Sequence, residues 1–257
     1  MSFQATLTLI GGPTVIIDIA GFRLVTDPTF DEPGIYSAGA VTLEKTGRPA
    51  LTPTEIGAVD AVLLSHDQHF DNLDHAGRDF LKQASTTVTT ILGAGRLGGN
   101  AVGLAPWQGE RLQKNDGRGL HVTAAPARHG PRGIEPITGQ VIGFLLGIEQ
   151  PGDAIYITDD TVWYEGVAEV SRRYAPAIVI TCAGAAQTRG RFQLTMNCND
   201  AIETAHAFQK SKIVGVHNEG WRHFTESEED LKNAFNALGL AERLISLEPG
   251  RPKHIVL

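Results

Sequence analysis

The sequence predicts an α/β fold, built from a β-rich start, a β-α-β stretch, a β-rich middle and an α-β-α-β close. Three observations carry that prediction. The first is size and composition: 257 residues, 42% hydrophobic and 20% charged, are the proportions of an ordinary globular protein. The second is the order of short apolar runs and amphipathic stretches along the chain. The third is the lack of a solenoid-type repeat, a low-complexity tract or a long linker, which leaves one domain over residues 1–257 as the expected organisation.

The elements follow in order. "ATLTLIGGPTVIIDIAGFRLVTDP" holds three apolar or alternating runs, roughly 5–9, 14–19 and 22–26, separated by "GGP" and "AGF", and reads as a strand meander with tight turns. Residues 27–57 are turn-rich and read as an irregular functional loop. "VDAVLLS" is a short apolar strand, and "LDHAGRDFLKQA" places Leu73, Ala76, Phe80 and Leu81 on one helical face. Asp71 or Asn72 is a natural N-cap for that helix, and Asp74 reads as an exposed acid of its first turn. "TTVTTIL", "GLHVTAAPA", "TGQVIGFLLGIE" and "DAIYITDD" read as strands, "VWYEGVAEVSRRYA" as a helix and "PAIVITCAG" as a strand. "NDAIETAHAFQK" begins with an Asn or Asp cap and reads as a helix, "SKIVGVHNEG" as a strand, and "TESEEDLKNAFNALGL" as a helix with a Thr cap and an acidic first turn.

Bulk properties exclude several functions. A net charge of −7 argues against nucleic acid as the main partner, because phosphate binding needs a basic face. The opening "MSFQATLTLIGG" lacks the basic and apolar regions of a secretory signal, and no window approaches the roughly 18 apolar residues of a membrane span. Two cysteines, Cys182 and Cys198, fit a reducing compartment and read as core or loop residues. A cytoplasmic protein with a small-molecule substrate is the expectation; oligomeric state is not encoded in these features.

Chemistry concentrates at strand ends. His66 and His69 follow "VDAVLLS", His129 follows "HVTAAPA", Asp159 and Asp160 follow "AIYI", and His217 follows "IVGV". Ligands bind at the carboxyl edge of strands in α/β sheets, and imidazole with carboxylate suits zinc, iron or manganese. His75, His121, His206 and His254 read as ordinary helix, strand or terminal residues, and His223 shares a loop with His217 and Trp221.

Taken together these motifs resemble the metallo-β-lactamase superfamily of metal-dependent hydrolases, and look most similar to its ascorbate-phosphate-lactonase-like and phospholipase-D-like branch. The likeness rests on "TLTLIGGPTVIIDIAGFRLVTDPTF", on "LLSHDQHFDNLD" as a Ser-His-x-His-x-Asp-His motif, on "PARHG", on "ITDDTVWY" as the turn with the bridging aspartate, and on "VGVHNEGWRHF" as the strand ending in the last histidine. The resemblance implies an αβ/βα four-layer sandwich, two mixed β-sheets flanked by helices. It implies one or two zinc ions, or manganese or iron, and a hydrolytic reaction. Carried over by position, the ligands are His66, His69, Asp71, His129, Asp160 and His217, with Asp71 also the catalytic residue that orients water and accepts its proton. Asn218, Trp221 and His223 become candidate substrate contacts. An ester, lactone or phosphodiester of a small molecule is the expected substrate. Two rival readings are a metal-binding or regulatory protein of the same fold with altered catalysis, and a di-iron oxidoreductase.

The sequence departs from the motif at one loop. Counting from His66, the second-histidine position holds Gln68, His69 follows it, and Asp71 and Asn72 stand where an Asp-His pair belongs, displaced by one. Two registers accommodate this. In one, a bulge lets His69 join His66 and His129, with Asp71, His217 and a bridging Asp160 forming a second site to which Asn72 adds at most a weak oxygen. In the other, Gln68 takes the histidine's place, although an amide is a much poorer zinc ligand. The first is preferred.

Overall fold

The computed structural model describes residues 4–38 and 41–257. The first sheet gathers β1 (Gln4–Gly11), β2 (Thr14–Ile19) and β3 (Phe22–Thr26), as the opening meander predicts. A separate hairpin follows, β4 (Gly34–Ala38) with β5 (Val41–Lys45), and then a one-turn helix α1 (Pro53–Ile56). The stretch expected to be irregular is therefore partly ordered; residues 39–40 within it lie outside the described residues. Next come β6 (Val59–Leu63), α2 (His75–Phe80), β7 (Ala84–Thr90), α3 (Ile91–Leu97), β8 (Ala101–Leu104) and β9 (Gly109–Gln113). The middle supplies β10 (Gly119–Pro126), a short α4 (Glu135–Thr138), β11 (Ile142–Gly147), β12 (Ile155–Ile157), α5 (Glu165–Arg173) and β13 (Ile178–Cys182). The chain closes with α6 (Cys198–Ala207), β14 (Lys212–Val216), α7 (Glu228–Ala237), β15 (Leu244–Ile245) and β16 (Lys253–Val256).

Two seven-stranded sheets result, in the orders β16-β1-β2-β3-β6-β7-β8 and β15-β14-β13-β12-β11-β10-β9. Both are mixed: β1, β2 and β3 pair antiparallel, β3, β6, β7 and β8 parallel, and in the second sheet β12, β13, β14 and β15 are parallel beside antiparallel β9, β10 and β11. The period-2 alternation of side chains sorts the core. Val15, Ile17, Leu24, Val122, Phe144, Ile155, Ile180 and Val214 meet between the sheets in one buried cluster. The intervening Ile16, Val25 and Val62 face outward onto Phe80 and Leu81. On the other sheet Leu145, Tyr156, Val179 and Ile213 face outward onto Val167, Val170, Ala201, Leu231 and Phe235 of α5, α6 and α7. The order is helix, sheet, sheet, helix: the four-layer αβ/βα sandwich.

Several local readings are corrected. Asp74 is not an exposed acid: it is fully buried and is itself the N-cap of α2, accepting the Gly77 N–H at 2.8 Å. Asn197 caps α6 and Ser227 caps α7, the latter in a capping box with Asp230, each two or three residues away from the cap expected. "TTVTTIL" stops as a strand at Thr90, whose hydroxyl accepts the Gly93 N–H and starts α3. Among the described residues no helix is long and apolar enough to cross a membrane.

Candidate metal centre

The loop after β6 and the ends of β10, β12 and β14 converge over the seam between the sheets. His66 and His129 are buried, and His69 is half-buried between them. His69 Nδ1 lies 2.9 Å from His66 Nε2 and 3.2 Å from His129 Nε2. Gln68 is exposed, packed at the cleft mouth beside Gly139. The extra residue of the loop thus turns Gln68 outward and His69 inward. Asp160 is fully buried, with Oδ2 3.7 Å from His129 Nε2 and Oδ1 2.9 Å from His217 Nδ1. Asp71 Oδ2 stands 3.6 Å from His217 Nε2 and 2.9 Å from His223 Nε2. The six sequence-derived ligand candidates therefore meet in one place.

Supporting hydrogen bonds fix how the rings present themselves. Asp27 accepts from Ser65 N at 2.7 Å, Ser65 Oγ at 2.6 Å and Asn72 Nδ2 at 2.9 Å. Burial pushes the Asp27 carboxyl up to about 7, yet all three bonds are donated to it, the arrangement of a carboxylate. With its proton spent on Asp27, Ser65 Oγ accepts from His66 Nδ1 at 2.8 Å. His129 Nδ1 donates to the Leu194 carbonyl at 2.9 Å. Both rings therefore carry their proton on Nδ1 and turn an Nε2 lone pair inward. Asn72 uses its amide nitrogen on Asp27, and its Oδ1 is buried with no partner among the described residues. Backbone strain marks the same corner: Asp27, Asp159 and His217 have φ of 27°, 50° and 56°, left-handed values that cost non-glycine residues about 1–3 kcal/mol each.

Electrostatics match a cation-binding cluster. Burial, with His69 and His129 alongside, holds His66 well below the usual imidazole range, and burial with His129 lowers His69 to about 4. Both rings are thus neutral donors. Burial alone would raise Asp71 and Asp160, but the hydrogen bond from His223 with His217 close by around the first, and His217 around the second, outweigh it and keep both ionised. Burial works against protonation of His217, and Asp160 reverses it, raising the ring.

These residues fit a metal ion. The nitrogen separations of 2.9 and 3.2 Å lie near the roughly 3.3 Å edge of a tetrahedron with metal–nitrogen bonds of about 2.0–2.1 Å. His69 Nδ1 carries at most one proton, which cannot fully serve two inward-facing lone pairs. Asp160 Oδ2 is buried with no hydrogen-bond partner among the described residues. Sequence reasoning missed three contributors. Ser65 and Asp27 were visible only as part of a motif, not as ring supports. Cys182, read as a core residue, is indeed packed between the sheets, but its sulfur also groups with Asp160 and His217 within 4.8 Å. Burial pushes that thiol up, so without a cation beside it the sulfur stays protonated. Replacing Ser65 by Ala removes the acceptor of His66 Nδ1; metal affinity is expected to fall about 10–100-fold with little change in fold, measured by competition with a chromophoric chelator.

A cleft of about 180 Å³ opens onto His69, Asp71, His129 and His223, walled by Leu43, Phe70, Ile137 and Leu194. His223 thus sits at the cleft floor, through its bond to Asp71. Asn218 and Trp221 do not line this cleft; they are buried and border a second cavity on the far side of Trp221.

Comparison with known proteins agrees with this architecture. A family model described as the beta-lactamase superfamily domain matches residues 22–218. The UPF0173 protein YddR of Bacillus subtilis is 25% identical over 256 residues, covering 95% of this chain and 97% of that protein. The UPF0173 metal-dependent hydrolase MK1542 of Methanopyrus kandleri is 21% identical over 251 residues, with 95% and 97% covered. The crystal structure of an isothiocyanate hydrolase from Delia radicum gut bacteria superposes with a TM-score of 0.82 at 21% identity, covering 98% of this chain and all of that one. With the family model spanning well over half of the chain, the sandwich fold and the ordered histidine and aspartate motifs have one explanation: the chain belongs to the beta-lactamase superfamily.

Proposed function

We propose that residues 1–257 form one metal-dependent hydrolase domain acting on an ester, lactone or phosphodiester of a small molecule. The observation that carries this reading is the convergence of three imidazole nitrogens, His66 Nε2, His69 Nδ1 and His129 Nε2, beside the buried Asp160 oxygen. The name of the Methanopyrus kandleri relative points the same way. His66, His69, His129 and Asp160 would hold the first ion, and Asp71, Asp160 and His217 a second. When bound, zinc, manganese or iron supplies Lewis acidity and brings the ionisation of water from about 15.7 towards 7.

The remaining work belongs to side chains. Asp71, ionised at the cleft floor, is the proton acceptor for the attacking water. His223 donates its Nε2–H to Asp71 and fixes which carboxylate oxygen faces the cleft. The apolar wall of Leu43, Phe70, Ile137 and Leu194 excludes water around the reacting group.

Protein purified without added metal is expected to contain about one to two equivalents of a transition metal and to turn over a lactone or a generic phosphodiester. An aryl isothiocyanate belongs in the panel because a structural neighbour bears the name isothiocyanate hydrolase. Less than about half an equivalent of metal, with no activity restored by zinc, manganese or iron, sinks this reading.

A further inference from the structure

The loop that carries His66 and His69 holds one residue more than its motif, and the extra residue adds backbone freedom that something must remove. Its two ends are tied to one carboxylate, since Ser65 and Asn72 both donate to Asp27. A turn closes its far side, with the Asn72 and Leu73 N–H groups on the His69 carbonyl at 3.2 and 2.9 Å. Asp67 belongs to neither device, and the metal reading gives it no role.

Asp67 stands between His66 and Gln68, is 6% exposed, and turns its carboxylate onto α3. Arg96 of that helix grips it with two prongs, Nε donating to Oδ2 at 2.8 Å and Nη2 donating to Oδ1. No other group bonds to this carboxylate among the described residues. The helix is drawn close, since a Cβ on Gly93 would come within 3.3 Å of Asp67 Oδ1. The carbonyl of the same residue is held separately, by Arg78 Nη2 of α2 at 2.9 Å. A peptide unit is planar, so fixing the Asp67 carbonyl also fixes the direction in which the chain enters Gln68. A grip on the side chain alone would leave that rotation free.

We propose that Arg96 and Arg78 are positioning residues of the metal loop, holding Asp67 by its side chain and its carbonyl so that Gln68 stays outside and His69 stays inside. The helix layer thereby sets which of two neighbouring side chains reaches the cluster. The proposal rests on His69 as a metal ligand for its consequence, but the position of the loop can be read without metal or turnover. A chain that takes up no metal would sink the hydrolase reading and leave the clamp to be decided by the metal-free measurement.

That measurement is iodoacetamide labelling of the full chain after chelator treatment, with Gln68→Cys or His69→Cys introduced singly. Cys198→Ala removes the half-buried native thiol, and the buried Cys182 serves as the control for an intact fold. Position 68 is exposed and position 69 half-buried, so Gln68→Cys is expected to react at least about tenfold faster than His69→Cys. Adding Arg96→Met or Arg78→Met should bring the two rates within about threefold while Cys182 stays unreactive. Arg96→Lys, which keeps the charge but not the fork, should fall between. Without the cysteine substitutions, Arg96→Met should weaken Co(II) binding about tenfold or more, read by chelator competition. If Arg96→Met does not fold, Asp67→Asn, which breaks the same pair and strands no carboxylate, takes its place. An unchanged rate ratio in the Arg96 or Arg78 variant overturns the proposal. So do rates that converge only as Cys182 becomes reactive, or undiminished Co(II) binding in Arg96→Met.

Discussion

His69→Ala is expected to cost at least about 100-fold in metal affinity and in hydrolysis, while Gln68→Ala leaves both within about twofold. Sequence spacing alone puts these two neighbours in competition for one ligand position. The structure places His69 Nδ1 within 2.9 and 3.2 Å of the other two imidazole nitrogens, and Gln68 on the surface. Removing His69 takes away one of three imidazole nitrogens and opens the cluster to water from the cleft. Removing Gln68 trims an exposed side chain at the mouth. Metal content by mass spectrometry and kcat/KM on the same preparations measure both effects. A loss of metal in Gln68→Ala but not in His69→Ala would show that the ligand assignment is wrong.

Lys45→Met is expected to lower stability by about 3–5 kcal/mol, the usual consequence of stranding one partner of a buried ion pair. Lys45 and Asp74 are 5% and 0% exposed, with Nζ and Oδ2 2.9 Å apart. Asp74 also accepts the N–H groups of Phe30 at 2.9 Å, Asp31 at 2.7 Å and Gly77 at 2.8 Å. Without the ammonium, a carboxylate remains in a space with no solvent to screen it. Asp74→Asn in the Lys45→Met background removes that charge while retaining a cap acceptor, so part of the lost stability should return. Urea midpoints of the two single variants and the double variant give the coupling directly; additive losses would mean that the pair does not act as a unit.

The same pair explains what sequence reading can and cannot reach. His129, Asp160 and His217 were legible because each follows a run of apolar residues that can only be a buried strand, and strand ends deliver side chains to a common edge. The opening three strands were legible for the same reason, with glycine and proline marking their turns. Asp74 was not, because its fate depends on Lys45, 29 residues away on a hairpin that itself had no clear pattern. That hairpin buries few residues, chiefly Tyr36 and Leu43, which face each other across it. Helix α3 was hidden because two of its three large apolar residues, Ile91 and Leu92, are exposed and only Leu97 packs inward, so no amphipathic period marks it. Asn218 and Trp221 sit beside His217 in sequence, yet the left-handed turn at His217 sends them to the opposite side of the loop from the cleft.

The seam between the sheets gives the proposed ligand set a mechanical meaning. His66 and His69 hang from the first sheet, whereas His129, Asp160 and His217 hang from the second. An ion held by both groups is a cross-link between two halves of the molecule, closing a chain segment that runs from residue 66 to residue 217. Loops of that length lose the most entropy on closure, so the ion would act on cooperativity as much as on chemistry. Loaded protein would unfold as one body. Stripped protein would depend on side-chain packing alone to keep its two sheets in register, and a chelator would be felt as a loosening of the whole sandwich before it was felt as a missing catalyst.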